Sequence, residues 1–207
     1  MAQYGFHYDG TRCTGCKTCM LACKDYHNLP GDVAFRQVYE YGNGEWEKDA
    51  AGAWSCTTQV YYLSEACNHC DSPACFAACS QGAIVKDEDT GLVYIDEEKC
   101  VNCGACAEAC PYGIPKADAE KGVYVKCDGC KDRVAQGKKP ICVEACPLRA
   151  LDFGDIEQLR SDFGDVAAIA PLPDPSQTNP NIVITEPKNA RPIDDTQGAV
   201  LNAGELV

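Results

Sequence analysis

The apolar residues of this chain come in short runs, and none approaches the roughly 20 positions needed to cross a bilayer. Residues 82–86 and 92–96 alternate around the acidic turn Asp87-Glu88-Asp89-Thr90-Gly91, which predicts a short β-hairpin. Residues 34–41 and 57–63 are rich in aromatic and branched side chains, with Gly42-Asn43-Gly44 between them, and predict a second hairpin with a long tip. From Gly164 onward proline recurs, at positions 171, 173, 175, 180, 187 and 192, around the apolar bead Asn181-Ile182-Val183-Ile184. Such a stretch cannot fold alone, so residues 164–207 are expected to form an extended arm lying on another polypeptide and ordered by it.

Composition complicates this picture. Leu, Ile, Val and Phe together make up fewer than one residue in five of the 207, and the net charge is −13. Those values ordinarily describe a disordered chain. Seventeen cysteines reverse the reading, because cross-links or metal can replace part of a missing apolar core. A disulfide framework suits short secreted chains with an even cysteine count and a leader. Here the count is odd, and Met1-Ala2-Gln3-Tyr4-Gly5 has neither a basic nor an apolar leader segment.

Spacing then separates the metals. Cys13, Cys16, Cys19, Cys23 and Cys100, Cys103, Cys106, Cys110 follow C-x2-C-x2-C-x3-C; Cys67, Cys70, Cys75, Cys79 and Cys127, Cys130, Cys142, Cys146 are variants with one longer gap. In bacterial ferredoxins such a run binds a cubane iron-sulfur cluster through three thiolates and sends the fourth to a neighbouring cluster. Three cysteines two residues apart curl round one face of a cube, whereas the fourth lies on a following turn aimed elsewhere. Zinc needs no third closely spaced cysteine, and only the fourth group resembles a zinc ribbon.

If each fourth cysteine serves another cluster, the groups work in pairs. The second and third groups flank the predicted hairpin at 82–96 and form an inner module. By elimination, the first and fourth groups form an outer one. The expected ligand sets are Cys13, Cys16, Cys19 with Cys146; Cys127, Cys130, Cys142 with Cys23; Cys67, Cys70, Cys75 with Cys110; and Cys100, Cys103, Cys106 with Cys79. The fold class is α+β: two interleaved bacterial-ferredoxin-like, two-cluster modules with a β-hairpin insertion and an extended C-terminal tail. The outer module takes residues 1–66 and 112–163, the inner module 67–111, and the tail 164–207.

The remaining residues add less. Cys56 reads as a free structural thiol at the start of a strand. Tyr4, Tyr8, Tyr39, Tyr41, Tyr61 and Tyr62 read as core or partner contacts. His69 lies inside Cys67-Asn68-His69-Cys70, but a full quartet leaves it beside the ligands or at the surface. Lys116, Lys121, Lys126, Lys131, Arg133, Lys138 and Lys139 surround the fourth group, and positive charge near a cluster favours its reduced form. Four loaded clusters, about −2 each with their ligands, would make an already acidic chain more so, which argues against nucleic acid as a partner. Nucleotide-binding glycine fingerprints, nucleophile elbows and His/carboxylate zinc motifs are missing, so no catalytic residue is expected.

Longer stretches carry a resemblance. Arg12-Cys13-Thr14-Gly15-Cys16-Lys17-Thr18-Cys19, Lys126-Cys127-Asp128-Gly129-Cys130, Cys146-Pro147-Leu148-Arg149-Ala150-Leu151 and Pro180-Asn181-Ile182-Val183-Ile184 resemble the four-cluster ferredoxin-like subunits of molybdenum oxidoreductases. The likeness runs almost end to end. It implies four 4Fe-4S clusters and a place between two partners: a catalytic subunit holding a molybdenum bis-pterin cofactor, facing the first-group cluster, and an integral membrane anchor that oxidises quinol, facing the third-group cluster. Nitrate reductase relatives carry tryptophan in place of one third-group cysteine; Cys103 stands at that position here. Ser80 departs from the proline common after the fourth cysteine and bears on the packing of the second group. The implied location is peripheral, attached to the membrane through the anchor without a span of its own. The outer, periplasmic face is favoured, since relatives can be exported folded with their catalytic partner. Alternatives left open are the iron-sulfur subunit of a thiosulfate or polysulfide reductase or of a formate dehydrogenase, a free polyferredoxin carrier, and a zinc-bearing scaffold.

Overall fold

The computed structural model describes residues 2–207. Strand β1 (Tyr4–Asp9) and helix α1 (Thr18–Tyr26) precede β2 (Gln37–Asn43), β3 (Trp46–Lys48), β4 (Trp54–Cys56) and β5 (Gln59–Glu65). Next come α2 (Ala74–Ala78), β6 (Ile84–Lys86), β7 (Val93–Ile95), α3 (Ala105–Ala109), β8 (Lys116–Asp118) and β9 (Val123–Val125). The chain continues through α4 (Lys131–Val134), α5 (Ile141–Glu144), β10 (Leu151–Asp155), α6 (Ile156–Phe163), β11 (Ile182–Thr185) and β12 (Ala199–Val200). Helices and small sheets are mixed. Helices α2 to α5 have only four or five residues each, far below the roughly 12–15 at which an isolated helix persists in water. They depend on what they pack against. The main core accordingly mixes Phe6, Tyr8, Leu63, Val125 and Phe153 with Cys19, Cys23, Cys67, Cys127, Cys142 and Cys146.

Distant segments meet in the largest sheets. Strand β1 lies between β10 and β11, antiparallel to the first with Phe6 opposite Phe153, and parallel to the second with Tyr8 opposite Ile184. In the middle of the chain, β6 and β7 pair antiparallel with Ile84 opposite Ile95. A similar ribbon, β8 with β9, follows the third cysteine group. Its three-residue strands have no β-type alternation, and its turn is held by the buried Asp118, whose carboxylate accepts from the Glu120 and Lys121 N–H groups, each at 3.0 Å.

Two expectations are corrected here. The proline-rich tail lies on its own chain: Ile182, Val183 and Ile184 are all buried against it, and Ala199–Val200 pairs with β2. A strand buried on both faces wants consecutive apolar residues, and this bead supplies them. The second correction concerns Gly42-Asn43-Gly44. Gly42 and Asn43 lie within β2, with Gly42 opposite Val60, because a Cβ at position 42 would come 2.1 Å from the Gln59 carbonyl oxygen. The glycine marks a close backbone approach and not a turn. The tip beyond it forms the separate ribbon β3–β4.

The tail's docking gives a first prediction. A Cβ at Gly5 would sit 2.4 Å from the Asn181 carbonyl oxygen and 2.6 Å from Ile156 Cδ1. Gly5→Ala is therefore expected to cost about 1–3 kcal/mol by overpacking and to loosen β11. Limited proteolysis should cut the variant after residue 164 faster than the parent protein; equal cutting rates would refute the expectation.

Candidate metal centres

Sixteen cysteines gather into four quartets. Cys13, Cys16, Cys19 and Cys146, the first quartet, line one cavity with Tyr8, Val38, Ser64 and Leu151. Cys67, Cys70, Cys75 and Cys110, the third, line a second with Val93, Tyr112 and Lys126. Cys79, Cys100, Cys103 and Cys106, the fourth, line another with Ile84, Ile95 and Tyr124. Cavities with four sulfurs each suit one kind of occupant. Cys23 has Cys142 and Cys130 among its neighbouring groups, and Cys127 has Cys23; these four, all buried, are taken as the second quartet.

Local structure explains who meets whom. Cys19 and Cys23 share α1, Cys142 lies on α5 with Cys146 just beyond it, and α1 packs against α5. Cys23 is thereby brought beside Cys142 and Cys130, whereas Cys146 enters the cavity of the first group. In the middle of the chain α2, carrying Cys75, packs against α3, carrying Cys106. The quartets also adjoin one another: Cys19 feels the charge of Cys142, and Cys127 that of Cys67. First, second, third and fourth therefore form a series. Its ends are open, with Cys16 and Cys103 exposed, while the second quartet is enclosed.

The chemistry of these sulfurs fits metal. All seventeen cysteines are free thiols. Burial pushes the Cys70, Cys75 and Cys130 thiols up to about 12, so without a metal they stay protonated at neutral pH. A metal replacing the proton removes that penalty. Backbone N–H groups already point at the sulfurs: Ala150 at Cys146 and Ala83 at Cys79, each at 3.3 Å, Gly129 at Cys127 and Tyr124 at Cys100, each at 3.4 Å, and His69 at Cys67 at 3.5 Å. Hydrogen bonds of this type stabilise thiolate charge and tune a cluster's potential. The bond from Ala83 is made although Ser80, and not proline, follows Cys79.

Several charged and polar side chains lie among the quartets. Arg36 is 2% exposed, donates through Nη1 to the Ser64 carbonyl and hydroxyl, each at 3.1 Å, and stacks over Phe6 at 4.8 Å. Its Nε and Nη2 have no partner. Burial works against its charge, and Cys142, Cys19 and Cys127, as the thiolates that a bound metal would make of them, favour it. Lys126 is likewise buried, and donates to the Val93 and Cys127 carbonyls. Glu65, hydrogen-bonded by Asn68 at 2.7 Å, is raised to about 7 by burial, against the pull of Asn68 and Arg36. His69 is fully buried. Its Nδ1 accepts from the Val93 N–H at 2.9 Å, and burial, with the Lys126 charge, keeps the ring neutral. His27 Nε2 lies 3.4 Å from Cys130 Sγ; among the described residues, His27, Asp128 and Cys130 bring ligand atoms within 4.8 Å of one another, a grouping that shares its sulfur with the second quartet.

The basic stretch around the fourth group resolves into one buried cation, Lys126, with Lys121, Lys131, Lys138 and Lys139 exposed. Arg36 carries no signal in the sequence beyond its place in an apolar segment. Cys56 is corrected from a structural thiol to an exposed one on the tip ribbon, opposite Trp46. Tyr8, Tyr41 and Tyr61 are core residues.

Comparison with known proteins agrees with this chemistry. A family model described as a 4Fe-4S dicluster domain matches residues 58–156, and one described as a 4Fe-4S binding domain matches residues 11–28. The chain is 56% identical over 204 residues to the B subunit of the anaerobic dimethyl sulfoxide reductase of Escherichia coli (strain K12), covering 99% of this chain and 98% of the relative. It is 52% identical over 206 residues to the subunit of the same name from Haemophilus influenzae, covering 100% of both. A more distant relative, the thiosulfate reductase electron transfer subunit of Salmonella typhi, is 33% identical over 157 residues, 75% of this chain and 78% of the relative.

Proposed function

The chain belongs to the family of anaerobic dimethyl sulfoxide reductase B subunits, and from that premise we propose that it relays electrons one at a time through four 4Fe-4S clusters, from a quinol-oxidising membrane anchor to a molybdenum bis-pterin catalytic subunit. It is an electron-transfer subunit; the terminal substrate, a sulfoxide on this reading, is reduced in the partner. The observation that carries the proposal is the series of four-sulfur quartets with exposed ends and an enclosed middle.

Each quartet would hold one cluster: Cys13, Cys16, Cys19 and Cys146; Cys23, Cys127, Cys130 and Cys142; Cys67, Cys70, Cys75 and Cys110; Cys79, Cys100, Cys103 and Cys106. When bound, the clusters supply one-electron chemistry over a wide range of potentials. The protein presents thiolates, surrounds them with N–H donors, and keeps water from the inner quartets. The outer module, residues 1–66 with 112–163, is supported by the pairing of β1 with β10 and the packing of α1 on α5. The inner module, 67–111, is supported by the packing of α2 on α3. The tail, though laid on its own chain, keeps Ile193 and Leu201 exposed for a partner. No helix among the described residues is long and apolar enough to cross a membrane; attachment through the anchor, on the periplasmic side, is the location this reading favours.

The test is a purified complex containing this chain. It should hold about four irons per quartet. A quinol analogue should reduce the clusters, and dimethyl sulfoxide should reoxidise them within turnover. Reduction that no acceptor of the catalytic partner reverses would refute the assignment.

A further inference from the structure

Each cluster that accepts an electron becomes more negative, so a fixed positive charge beside it favours reduction and raises its potential. The effect is largest where water cannot screen the charge. Exposed lysines act through solvent with a screening length of about 8 Å. Buried cations are screened far less.

Two buried cations occupy the inner joints of the series. Arg36 Nη1 donates at 3.1 Å to the Ser64 hydroxyl, which lies 3.4 Å from Cys19 Sγ of the first quartet, and Cys142 and Cys127 of the second act on its charge together with Cys19. Lys126 has Cys67 and Cys75 of the third quartet and Cys127 of the second, and it forms part of the third quartet's cavity wall. Lys126 does not line the cavity of the fourth quartet. Both are pinned: Arg36 by Ser64 and the Phe6 ring, Lys126 by the carbonyls of Val93 and Cys127. Nothing in this placement serves cluster ligation, since the quartets supply four sulfurs without them.

We propose that Arg36 and Lys126 set the potentials of the inner part of the relay: Arg36 raises those of the first and second clusters, Lys126 those of the second and third. The second cluster, between both cations, is raised most. The arrangement also keeps neighbouring anionic clusters from repelling each other's electrons across the joints. This inference rests on the four-cluster reading above.

Redox titration of the purified complex, followed by electron paramagnetic resonance, tests it. Arg36→Met should lower the midpoint potentials of the first and second clusters by at least a tenfold change in the one-electron equilibrium, about 59 mV, and leave the fourth unmoved. Lys126→Met should do the same to the second and third. Arg36→Lys and Lys126→Arg, which keep the charge, should stay within that bound. Arg36→Gln and Lys126→Gln retain a donor towards Ser64 and the Val93 carbonyl, and are read wherever a methionine variant fails to load its clusters. Unchanged potentials in a loaded neutral variant, or an equal fall of all four clusters, overturns the proposal. A parent complex with fewer than four clusters would instead overturn the four-cluster reading.

Discussion

Stripped of iron under anaerobic conditions, the chain should lose its compact fold and not merely its colour. Leu, Ile, Val and Phe are too few to build a large apolar interior, and the main core includes cysteines from all but the fourth quartet. Helices α2, α3 and α5, each of four or five residues, carry Cys75, Cys106 and Cys142 and have little stability of their own. A single structural zinc site can be worth about 10–16 kcal/mol, against a net stability of about 5–15 kcal/mol for a whole domain. Removing four metal centres thus exceeds any reserve. Circular dichroism and thermal unfolding before and after chelation check this. An iron-free chain that still melts cooperatively near the parent's midpoint would contradict it.

The second large effect is Cys23→Ser. It should remove the second cluster while the first survives, although Cys23 belongs to the first cysteine group in sequence. In the structure Cys23 faces Cys142 and Cys130, and the first cavity is completed by Cys146. Iron should fall by about four atoms of sixteen. Reduction by a quinol analogue should then stop at the third cluster, because the second lies between it and the first. Cys146→Ser should give the reverse pattern, losing the first cluster and keeping the second. Loss of the first cluster in Cys23→Ser, with the second untouched, would show that each group keeps its own fourth cysteine.

Local spacing made the ligands readable. Cys13, Cys16 and Cys19 announce a shared site because two-residue gaps put three sulfurs within reach of one object, wherever that segment lies in space. The hairpin at 82–96 was equally local. Gly42 misled because a glycine between two β-like segments resembles a turn; its role depends on the Gln59 carbonyl, seventeen residues on and 2.1 Å from where a Cβ would be. The tail misled for a related reason: its composition says that it needs a surface to lie on, and composition cannot say whose.

Residue identity and spacing alone thus established the kind of cofactor and the kinship of the chain. Folding settled which charges stand next to which quartet. Arg36 is one basic residue among eighteen in the sequence and becomes distinctive only when burial removes the water that would otherwise screen it. Lys126 and its basic neighbours are alike in sequence, yet only Lys126 is enclosed with the thiolates. Coulomb interactions depend on distance through space and on the surrounding medium, and a linear order of residues specifies neither.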